Sequence, residues 1–363
     1  MNNNGYKIAI IGAGPSGGIL GAFLSRAGNN VTLVDVWKDH LSAIAEKGFI
    51  IEGVKKLNVA FSESSLKLSI SELKEFEPDL VFIAVKTPIL KRVVKDLKEI
   101  ISKSALVISY QNGIGTEDFL AENFGAERSF RVIINYAGNL ISPGKVKMTF
   151  FNPPNYLGSV SPNQQDKAKE MAKLISDSGL STKFQKNILT AEWKKGILNS
   201  SLSGLCAVTH MTMKEAMQFP NTRNIVSNLI QEGIDVANSL GIEFNTYFHE
   251  ECMNYLMKGG HHKPSMLIDV ESRTPTEVEF LNLKIVEIAE KQKVKVPYNN
   301  SIKSIIEAID FLNGKDRQYI TENVELLGFE QRCLTCSHVK DCIDAFTYCP
   351  LHGHVFPFKV NGK

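Results

Sequence analysis

The chain has 363 residues, of which 43% are hydrophobic and 22% are charged, and its formal net charge at neutral pH is +2. This length predicts two domains with an appendage, and so small a net charge argues against nucleic acid or another polyanion as a partner. No apolar run is long enough to cross a membrane, and the polar start of the chain lacks a signal-peptide pattern, so we expect a cytoplasmic protein without a membrane partner.

The N-terminal half of the chain alternates short apolar runs with helical patterns. Strands are predicted at 7–11, 31–35, 78–85 and 105–110, and helices at 15–28 and 88–102. Strands that alternate with helices predict an α/β fold with a parallel sheet covered on both faces. Antiparallel strands and turns are expected at 131–160, followed by an amphipathic helix at 164–176 and a last short strand at 181–185.

The C-terminal half has a different pattern. From about residue 186 the strand signals fade, and long helical patterns continue to about residue 312. We therefore predict an α/β domain over residues 1–185, an all-helical domain over 186–312 and a tail over 313–363.

A glycine-rich turn follows the first predicted strand and opens the first helix. Gly12, Gly14 and Gly17 form the pattern G-x-G-x-x-G in a strand–helix–strand unit, which is the setting of a dinucleotide site. The three glycines permit a tight turn, close approach of a pyrophosphate, and close packing of helix on strand. Pro15 and Ser16 complete the predicted cofactor-binding loop, and the alternative is a glycine-rich turn without a ligand.

Asp35 ends the second predicted strand. An acidic residue there typically binds the ribose hydroxyls of NAD(H) and repels the 2′-phosphate of NADP(H). An aspartate at a turn or a helix N-cap is an equally good explanation. Lys38 and His40 follow closely and could offset the negative charge.

A predicted helix in the second half carries a polar edge beside an apolar stripe. At about 100° per residue, Lys195, Asn199 and Ser203 align, and Leu198 and Leu202 lie next to them. Such a lysine is explained either by a long side chain that extends from a half-buried helix to water, or by a helix that lines a cleft.

Several motifs occur together in the order found in the ketopantoate reductase family, which the chain resembles over about residues 6–312. They are "IGAGPSG", "AVKT", "QNGIG", "WKKGILN" and "PSMLIDVESRTPTEVEFLN". The resemblance implies a Rossmann-type domain followed by a helical domain like that of 6-phosphogluconate dehydrogenase, with the active site in the cleft between them. It also implies reduction of ketopantoate (2-dehydropantoate) to pantoate, a step of pantothenate and coenzyme A biosynthesis.

The resemblance assigns roles to residues of the helical half. Lys195 corresponds to the catalytic lysine, which would act as general acid, and Asn199 to a substrate-binding asparagine. Ser203 stands where the family often has a second asparagine, and its shorter side chain leaves that substrate contact open. Ser265 corresponds to the serine that holds the substrate carboxylate, and Glu277 to the glutamate that holds its hydroxyl.

The resemblance implies two further residues on the cofactor side of the cleft. Lys86 corresponds to a cofactor-binding residue, and Asn112 to a residue that contacts cofactor and substrate. The family usually takes NADP(H), whereas Asp35 makes NAD(H) plausible in this chain.

Glu277 also has a purely structural explanation. Thr274-Pro275-Thr276-Glu277 fits a capping box in which Thr274 is the N-cap and Glu277 the third helical residue. The residues alone leave the two explanations open.

The tail contains a cluster of cysteines that the resemblance does not cover. Four thiols occur with the spacing Cys333-x2-Cys336-x5-Cys342-x6-Cys349, and His338, His352 and His354 add further donors. Cysteine-rich segments of this density typically bind a metal in reducing compartments. We therefore expect a zinc ion, and the alternative is an iron–sulfur cluster. Free thiols or disulfides are the alternative without a metal. The other two cysteines, Cys206 and Cys252, are expected to pack as small apolar groups.

Two other functions stay open at this point. One is a related reductase that acts on a different 2-keto acid, which Ser203 favours. The other is a nucleotide or redox sensor that uses the cysteine-rich tail, although a sensor has no need to keep both Lys195 and Glu277. The expected partner is a small keto acid, and a homodimer is compatible with the sequence.

Overall fold

The computed structural model describes residues 5–322, with side chains as far as residue 314. The described chain divides into two compact units. The first comprises residues 5–111 and 116–188, and the second comprises residues 112–115 and 189–322. The short loop 112–115 thus belongs to the second unit, although the sequence placed it within the first domain.

The first unit contains twelve strands and six α-helices, besides short 3-10 turns. The strands are β1 Lys7–Ile11, β2 Asn30–Val34, β3 Phe49–Gly53, β4 Leu57–Val59, β5 Leu66–Lys67, β6 Leu80–Ile83, β7 Leu106–Ser109, β8 Ser129–Ile133, β9 Tyr136–Ser142, β10 Lys145–Phe151, β11 Asn155–Ser159 and β12 Thr182–Phe184. The helices are α1 Pro15–Arg26, α2 Lys38–Lys47, α3 Leu73–Phe76, α4 Leu90–Ile100, α5 Thr116–Phe124 and α6 Gln165–Asp177.

An eight-stranded sheet forms the centre of the first unit, in the order β12-β11-β8-β7-β6-β1-β2-β5. In this order, the six neighbouring strands β8, β7, β6, β1, β2 and β5 are parallel. Strand β11 pairs with β8 in the antiparallel direction. In β6 all four residues are buried, which is why this strand is a continuous apolar run. The predicted Rossmann-type α/β fold is therefore confirmed.

A second sheet of four strands, in the order β4-β3-β10-β9, also belongs to the first unit. Strands β9 and β10 form an antiparallel hairpin, as the sequence predicted for this region, and β10 pairs with β3 in the parallel direction. Val146 and Met148 on β10 are fully buried and join the same core as the helices around the large sheet.

The second unit is helical apart from loops, which confirms the predicted helical domain. Its helices are α7 Ile188–Thr209, α8 Met213–Gln218, α9 Pro220–Ser239, α10 Phe248–Met257, α11 Ser265–Glu271, α12 Asn282–Gln292 and α13 Pro297–Glu322. Helix α13 continues past residue 312, where the sequence predicted the start of the tail. No helix within residues 5–322 is both long and apolar enough to span a membrane.

Candidate active site

The glycine loop lies between β1 and α1, as predicted. Gly12 has a φ of +97°, which side-chain-bearing residues rarely adopt. A Cβ on Gly17 would lie 2.1 Å from the carbonyl oxygen of Gly12, so α1 can approach the loop only with glycine there. By contrast, apart from Gly14 itself and the adjoining backbone, no heavy atom lies within 4 Å of the point that a Cβ on Gly14 would occupy.

The space beside Gly14 is suited to the phosphates of a dinucleotide. Gly14 is the N-cap of α1, and no side chain caps this end of the helix. The first N–H groups of a helix have no partners within the helix, and the helix dipole makes this end attractive to anions. The loop Gly12–Gly17, with Pro15 and Ser16 in the first turn, therefore fits a bound pyrophosphate.

Asp35 follows β2 directly and is bonded to the glycine loop. Its Oδ2 accepts a hydrogen bond of 2.8 Å from the backbone N–H of Ala13, and its Oδ1 accepts one of 3.0 Å from Trp37. The N-cap of α2 is Trp37, so Asp35 does not cap that helix. The carboxylate fixes the turn after β2 and at the same time places a negative charge beside the loop.

His40 is fully enclosed beside the same loop, and it does not supply the positive charge that the sequence suggested. Its Nδ1 accepts a hydrogen bond of 3.1 Å from the N–H of Gly144, so the Nε2 carries the proton and donates it to the carbonyl of Ala13 at 3.0 Å. Burial lowers the pKa of His40, although the charge of Asp35 and the bond to Ala13 act in the opposite direction. The ring is therefore neutral at physiological pH.

Lys86 lies beyond the carboxyl end of β6, which is the neighbour of β1 in the sheet. The lysine is exposed at the start of a short turn, and the side-chain amide of Gln111 donates a hydrogen bond of 2.6 Å to the adjacent carbonyl of Val85. Ligands of open α/β sheets bind beyond the carboxyl ends of the strands. The glycine loop, Asp35 and Lys86 share that edge.

The polar edge of α7 has the burial that the sequence pattern indicated. Lys195, Asn199 and Ser203 are each half-buried, whereas Lys194 is exposed. The Nζ of Lys194 lies 5.6 Å from the ring centroid of Phe248, a cation–π contact on a different side of the helix. The two adjacent lysines therefore occupy different surroundings.

Three of the sequence motifs meet around Ile114. The N–H of Ile114 donates to the carbonyl of Phe280 at 2.7 Å, and the N–H of Gly115 donates to Oε1 of Glu192 at 3.0 Å. A Cβ on Gly196 would lie 2.4 Å from a side-chain carbon of Ile114, so the loop lies against the backbone of α7. The loop with Asn112, the turn of α7 with Lys195 and the segment after Glu277 thus form one assembly.

Glu277 is 92% removed from solvent, since its exposed fraction is 8%. It immediately precedes the short helical turn Val278–Phe280. The alternative explanation as part of a capping box is wrong, because the hydroxyl of Thr274 donates to Asp269 and does not cap a helix at this point. Thr276 instead donates to Asp310 at 2.7 Å.

The remaining predicted substrate residues are accessible. Asn112 is half-buried at the start of the loop, and Ser265 is exposed as the first residue of α11. Pro264, which precedes this serine, has an extended backbone and serves as the N-cap. Both side chains are thus available to a ligand.

Glu192 is a candidate site residue that the sequence analysis missed. It is 1% exposed and holds the end of the loop through Gly115. The available signal was its position four residues before Gly196, because residues four apart share a helix face. A carboxylate and a glycine on one apolar face indicate close approach by another segment of backbone.

The predicted metal ligands Cys333, Cys336, Cys342 and Cys349 lie outside the described residues. Within residues 5–314, no group of three or more histidine, cysteine, aspartate or glutamate side chains is arranged to hold a metal ion. Cys206 and Cys252 are buried free thiols. Burial, with a smaller contribution from Glu215, raises the pKa of Cys206 to about 12, so this thiol is inert at neutral pH.

Solved structures and named relatives with similar chains support a common family. A 2-dehydropantoate 2-reductase of Pyrococcus abyssi is 30% identical over 310 residues, which cover 85% of this chain and 99% of that protein. The structure of 2-dehydropantoate 2-reductase from Geobacter metallireducens has a TM-score of 0.76 at 25% identity and is covered to 99%, with 83% of this chain aligned.

A second similar structure is that of an enzyme with a different name. The ternary structure of D-mandelate dehydrogenase with NADH and anilino(oxo)acetate has a TM-score of 0.75 at 26% identity, and the alignment covers 84% of this chain and 99% of that one. Two family models also match: ketopantoate reductase PanE/ApbA over residues 8–162, and ketopantoate reductase PanE/ApbA C terminal over residues 187–310. The chain therefore belongs to the ketopantoate reductase (PanE/ApbA) family.

Proposed function

We propose that the protein is an NAD(P)H-dependent 2-dehydropantoate 2-reductase that converts ketopantoate to pantoate in the cytoplasm. The observation that carries this proposal is the assembly around Ile114, which joins the loop of Asn112 to the lysine turn of α7 and to the segment after Glu277. Membership in the family supplies the substrate and the direction of the reaction.

Lys195 is the proposed general acid. A nicotinamide cofactor held by the glycine loop, Asp35 and Lys86 would supply the hydride for the keto carbon, and negative charge would then develop on the keto oxygen. A lysine ammonium stabilises this charge and donates a proton to the oxygen. Its half-buried position lowers the local dielectric, which strengthens the interaction.

Five polar side chains are proposed to orient the substrate. Asn199 and Ser203 follow Lys195 by one and two turns on the same half-buried edge. Asn112, Ser265 and Glu277 are the other members. A carboxylate such as Glu277 accepts the hydrogen bond of a hydroxyl, whereas the hydroxyl of Ser265 can donate to a carboxylate.

The proposed nucleotide site consists of Gly12, Gly14, Pro15, Ser16, Gly17, Asp35, Lys86 and Asn112. We propose that NADH is used at least as well as NADPH. The carboxylate of Asp35 would repel a 2′-phosphate, and the neighbouring His40 is neutral because burial lowers its pKa. Lys38 is exposed and is the remaining cation close to this position in the sequence.

The test is an assay of NADH and NADPH oxidation with ketopantoate and a small panel of other 2-keto acids. We expect ketopantoate to have the highest kcat/KM, and NADH to be at least as effective as NADPH. A wild-type protein without activity on ketopantoate would overturn the proposed substrate. A strong preference for NADPH would show that Asp35 does not exclude the 2′-phosphate.

A related reductase for another 2-keto acid is the second candidate. It is favoured by Ser203, whose side chain is shorter than the asparagine common in the family, and by the similarity to D-mandelate dehydrogenase. The same panel separates the two candidates, because this enzyme would have its highest kcat/KM with a 2-keto acid other than ketopantoate, such as an aromatic one.

For the tail we propose one zinc ion bound by Cys333, Cys336, Cys342 and Cys349, with no part in hydride transfer. Four thiolates are the ligand set of closed zinc sites, and a short segment gains folding energy from the metal. Elemental analysis of protein purified without oxygen should give one zinc per chain. Iron with acid-labile sulfide would replace zinc by a cluster, and the absence of any metal would contradict the proposal.

A further inference from the structure

A buried carboxylate lies within the helical unit, on α9, away from the residues assigned to the reaction. Glu232 is 7% exposed. Its Oε1 accepts a hydrogen bond of 2.8 Å from the N–H of Tyr298, and its Oε2 accepts one of 2.8 Å from the N–H of Asn299. These donors belong to the first turn of α13, so Glu232 satisfies groups that would otherwise lack partners, and its charge suits the positive end of the helix dipole.

The carboxylate also fixes the orientation of a second side chain. The Nδ2 of Asn299 donates to Oε2 of Glu232 at 2.8 Å. An ionised carboxylate can only accept, so the nitrogen of this amide must face Glu232 and its oxygen must face away. That oxygen accepts a hydrogen bond of 3.0 Å from Nδ2 of Asn282, and both asparagines are fully buried.

The chain of hydrogen bonds ends on the backbone of α7. The Nδ2 of Asn282 uses its second hydrogen for the carbonyl of Ser200, at 3.0 Å. This carbonyl lies in the interior of α7, between Asn199 and Ser203. The bond from Asn282 therefore comes from outside the helix and ties α7 to α12 at the level of the proposed substrate residues.

Close packing at the same level limits how α7 can respond to a loss of this bond. A Cβ on Gly204 would lie 2.5 Å from a methyl carbon of Ile302 on α13 and 3.2 Å from Oδ1 of Asn282. The two neighbouring helices thus contact α7 where it has no side chain. Asn282 therefore contacts the backbone of α7 directly, with no flexible side chain between them.

We propose that Asn282 is a positioning residue for the reaction, and that Glu232 and Asn299 set the orientation of its amide. Through the carbonyl of Ser200, Asn282 holds the turn of α7 from which Asn199 and Ser203 extend. The inference rests on the proposed function, because it assigns these two side chains to substrate binding.

The expected consequence is a kinetic defect that is specific to the keto acid. A small displacement of groups that orient a substrate is costly, so a shift of α7 should lower kcat/KM by about tenfold or more. The defect should appear as a higher KM for the keto acid. The KM for NADH should change much less, because Asn112 is the one residue of the proposed nucleotide site that belongs to the same unit as Asn282.

The test compares Asn282→Leu with Thr222→Val, at a temperature well below the Tm of each variant. Thr222 is also buried in the helical unit, and its hydroxyl donates to the carbonyls of Ala216 and Phe219, which are not on α7. Both substitutions keep the number and branching of the side-chain heavy atoms and remove buried hydrogen bonds, so both should lower the Tm. We expect only Asn282→Leu to raise the KM for the keto acid.

A second variant keeps the proposal testable if Asn282→Leu does not fold. Glu232→Gln replaces one acceptor by a donor, disturbs the orientation of Asn299, and should raise the same KM by a smaller factor. The proposal is overturned if the variant or variants that fold lower the Tm but leave the KM unchanged. It is also overturned if Thr222→Val shows the same kinetic defect.

Assays of the wild-type protein distinguish a failure of this inference from a failure of the proposed function. If it reduces another 2-keto acid but not ketopantoate, the proposed substrate is wrong, and the variants are compared with that keto acid. If it reduces no keto acid of the panel, the proposed function and this inference are both overturned. If it reduces ketopantoate and the variants behave like the wild type, only this inference fails.

Discussion

Glycine residues serve the nucleotide loop and helix α7 in different ways. At Gly14 no other segment of the protein lies within 4 Å of the position of an added Cβ, whereas at Gly196 this position lies against Ile114 and at Gly204 against Ile302. The first glycine leaves room for something that is not part of the protein. The other two let the protein approach itself. A missing side chain can thus mark either a place for a ligand or a place where two segments are held together.

The largest effect on activity is expected for Lys195, which precedes Gly196 in α7. Lys195→Ala should lower kcat by about a hundredfold or more, which is the range expected for a lost general acid. Steady-state kinetics with saturating cofactor would measure it. Lys194→Ala is the matched control, since Lys194 is exposed beside Phe248 and should retain near-normal activity. Near-full kcat in the Lys195 variant would contradict the assignment.

Gly196→Ala should disturb the packing itself. The added Cβ would lie 2.4 Å from a buried carbon of Ile114, so the loop or the helix must shift. We expect a loss of about 2 kcal/mol in the free energy of unfolding, as for other overpacked sites. Urea unfolding would measure the loss. In the double variant with Ile114→Ala, the loss of unfolding free energy should be smaller than the sum of the losses in the two single variants. Strict additivity would show that the contact is unimportant.

Gly14→Ala should separate binding from folding. No protein atom obstructs the new methyl group, and Gly14 has a φ of −64°, so the Tm should change little. The methyl group would occupy the space beside the phosphates, and we expect the KM for NADH to rise by about tenfold, or 1.4 kcal/mol. Gly17→Ala, with a clash at 2.1 Å, should instead lower the Tm. An unchanged KM in the Gly14 variant would show that the loop does not approach the cofactor.

A smaller effect should appear in the pH dependence of stability. Burial lowers the pKa of His40 in the folded protein below that of the unfolded chain. At a pH between the two values the unfolded chain binds more protons than the folded protein. The contribution of His40 to the free energy of unfolding is therefore fully present above a pH of about 6.5 and declines as the pH falls. His40→Gln, which can keep both hydrogen bonds, should flatten this slope in denaturant titrations between pH 7 and 5. Equal slopes in both proteins would contradict the prediction.

The local part of this structure could be predicted from the sequence. The apolar run at 7–11 is β1, and the spacing of Lys195, Asn199 and Ser203 predicted a helix edge that is half-buried in the structure. The first result follows from a continuous apolar run and the second from a repeat of 3.6 residues, and both patterns depend only on neighbours along the chain.

The long-range part could not be predicted in this way. The bond from Gly115 to Glu192 joins residues 77 apart in the sequence, and the bond from Asn282 to Ser200 joins residues 82 apart. Periodicity carries no information about such pairs. The capping box at Thr274 failed for a different, local reason: Asp269, five residues earlier in α11, accepts the hydrogen bond of the Thr274 hydroxyl.

The membership of loop 112–115 in the second unit affects how this protein could be recombined with its relatives. The chain leaves the first unit at residue 111, returns to it at residue 116 and leaves again at residue 188. A chimera made by a single crossover near residue 188 would therefore combine the loop of one parent with the Glu192, Gly196 and Phe280 of the other. A functional exchange of the helical unit would also have to exchange these four loop residues. The unit that must be exchanged is therefore encoded by two separate segments of the gene.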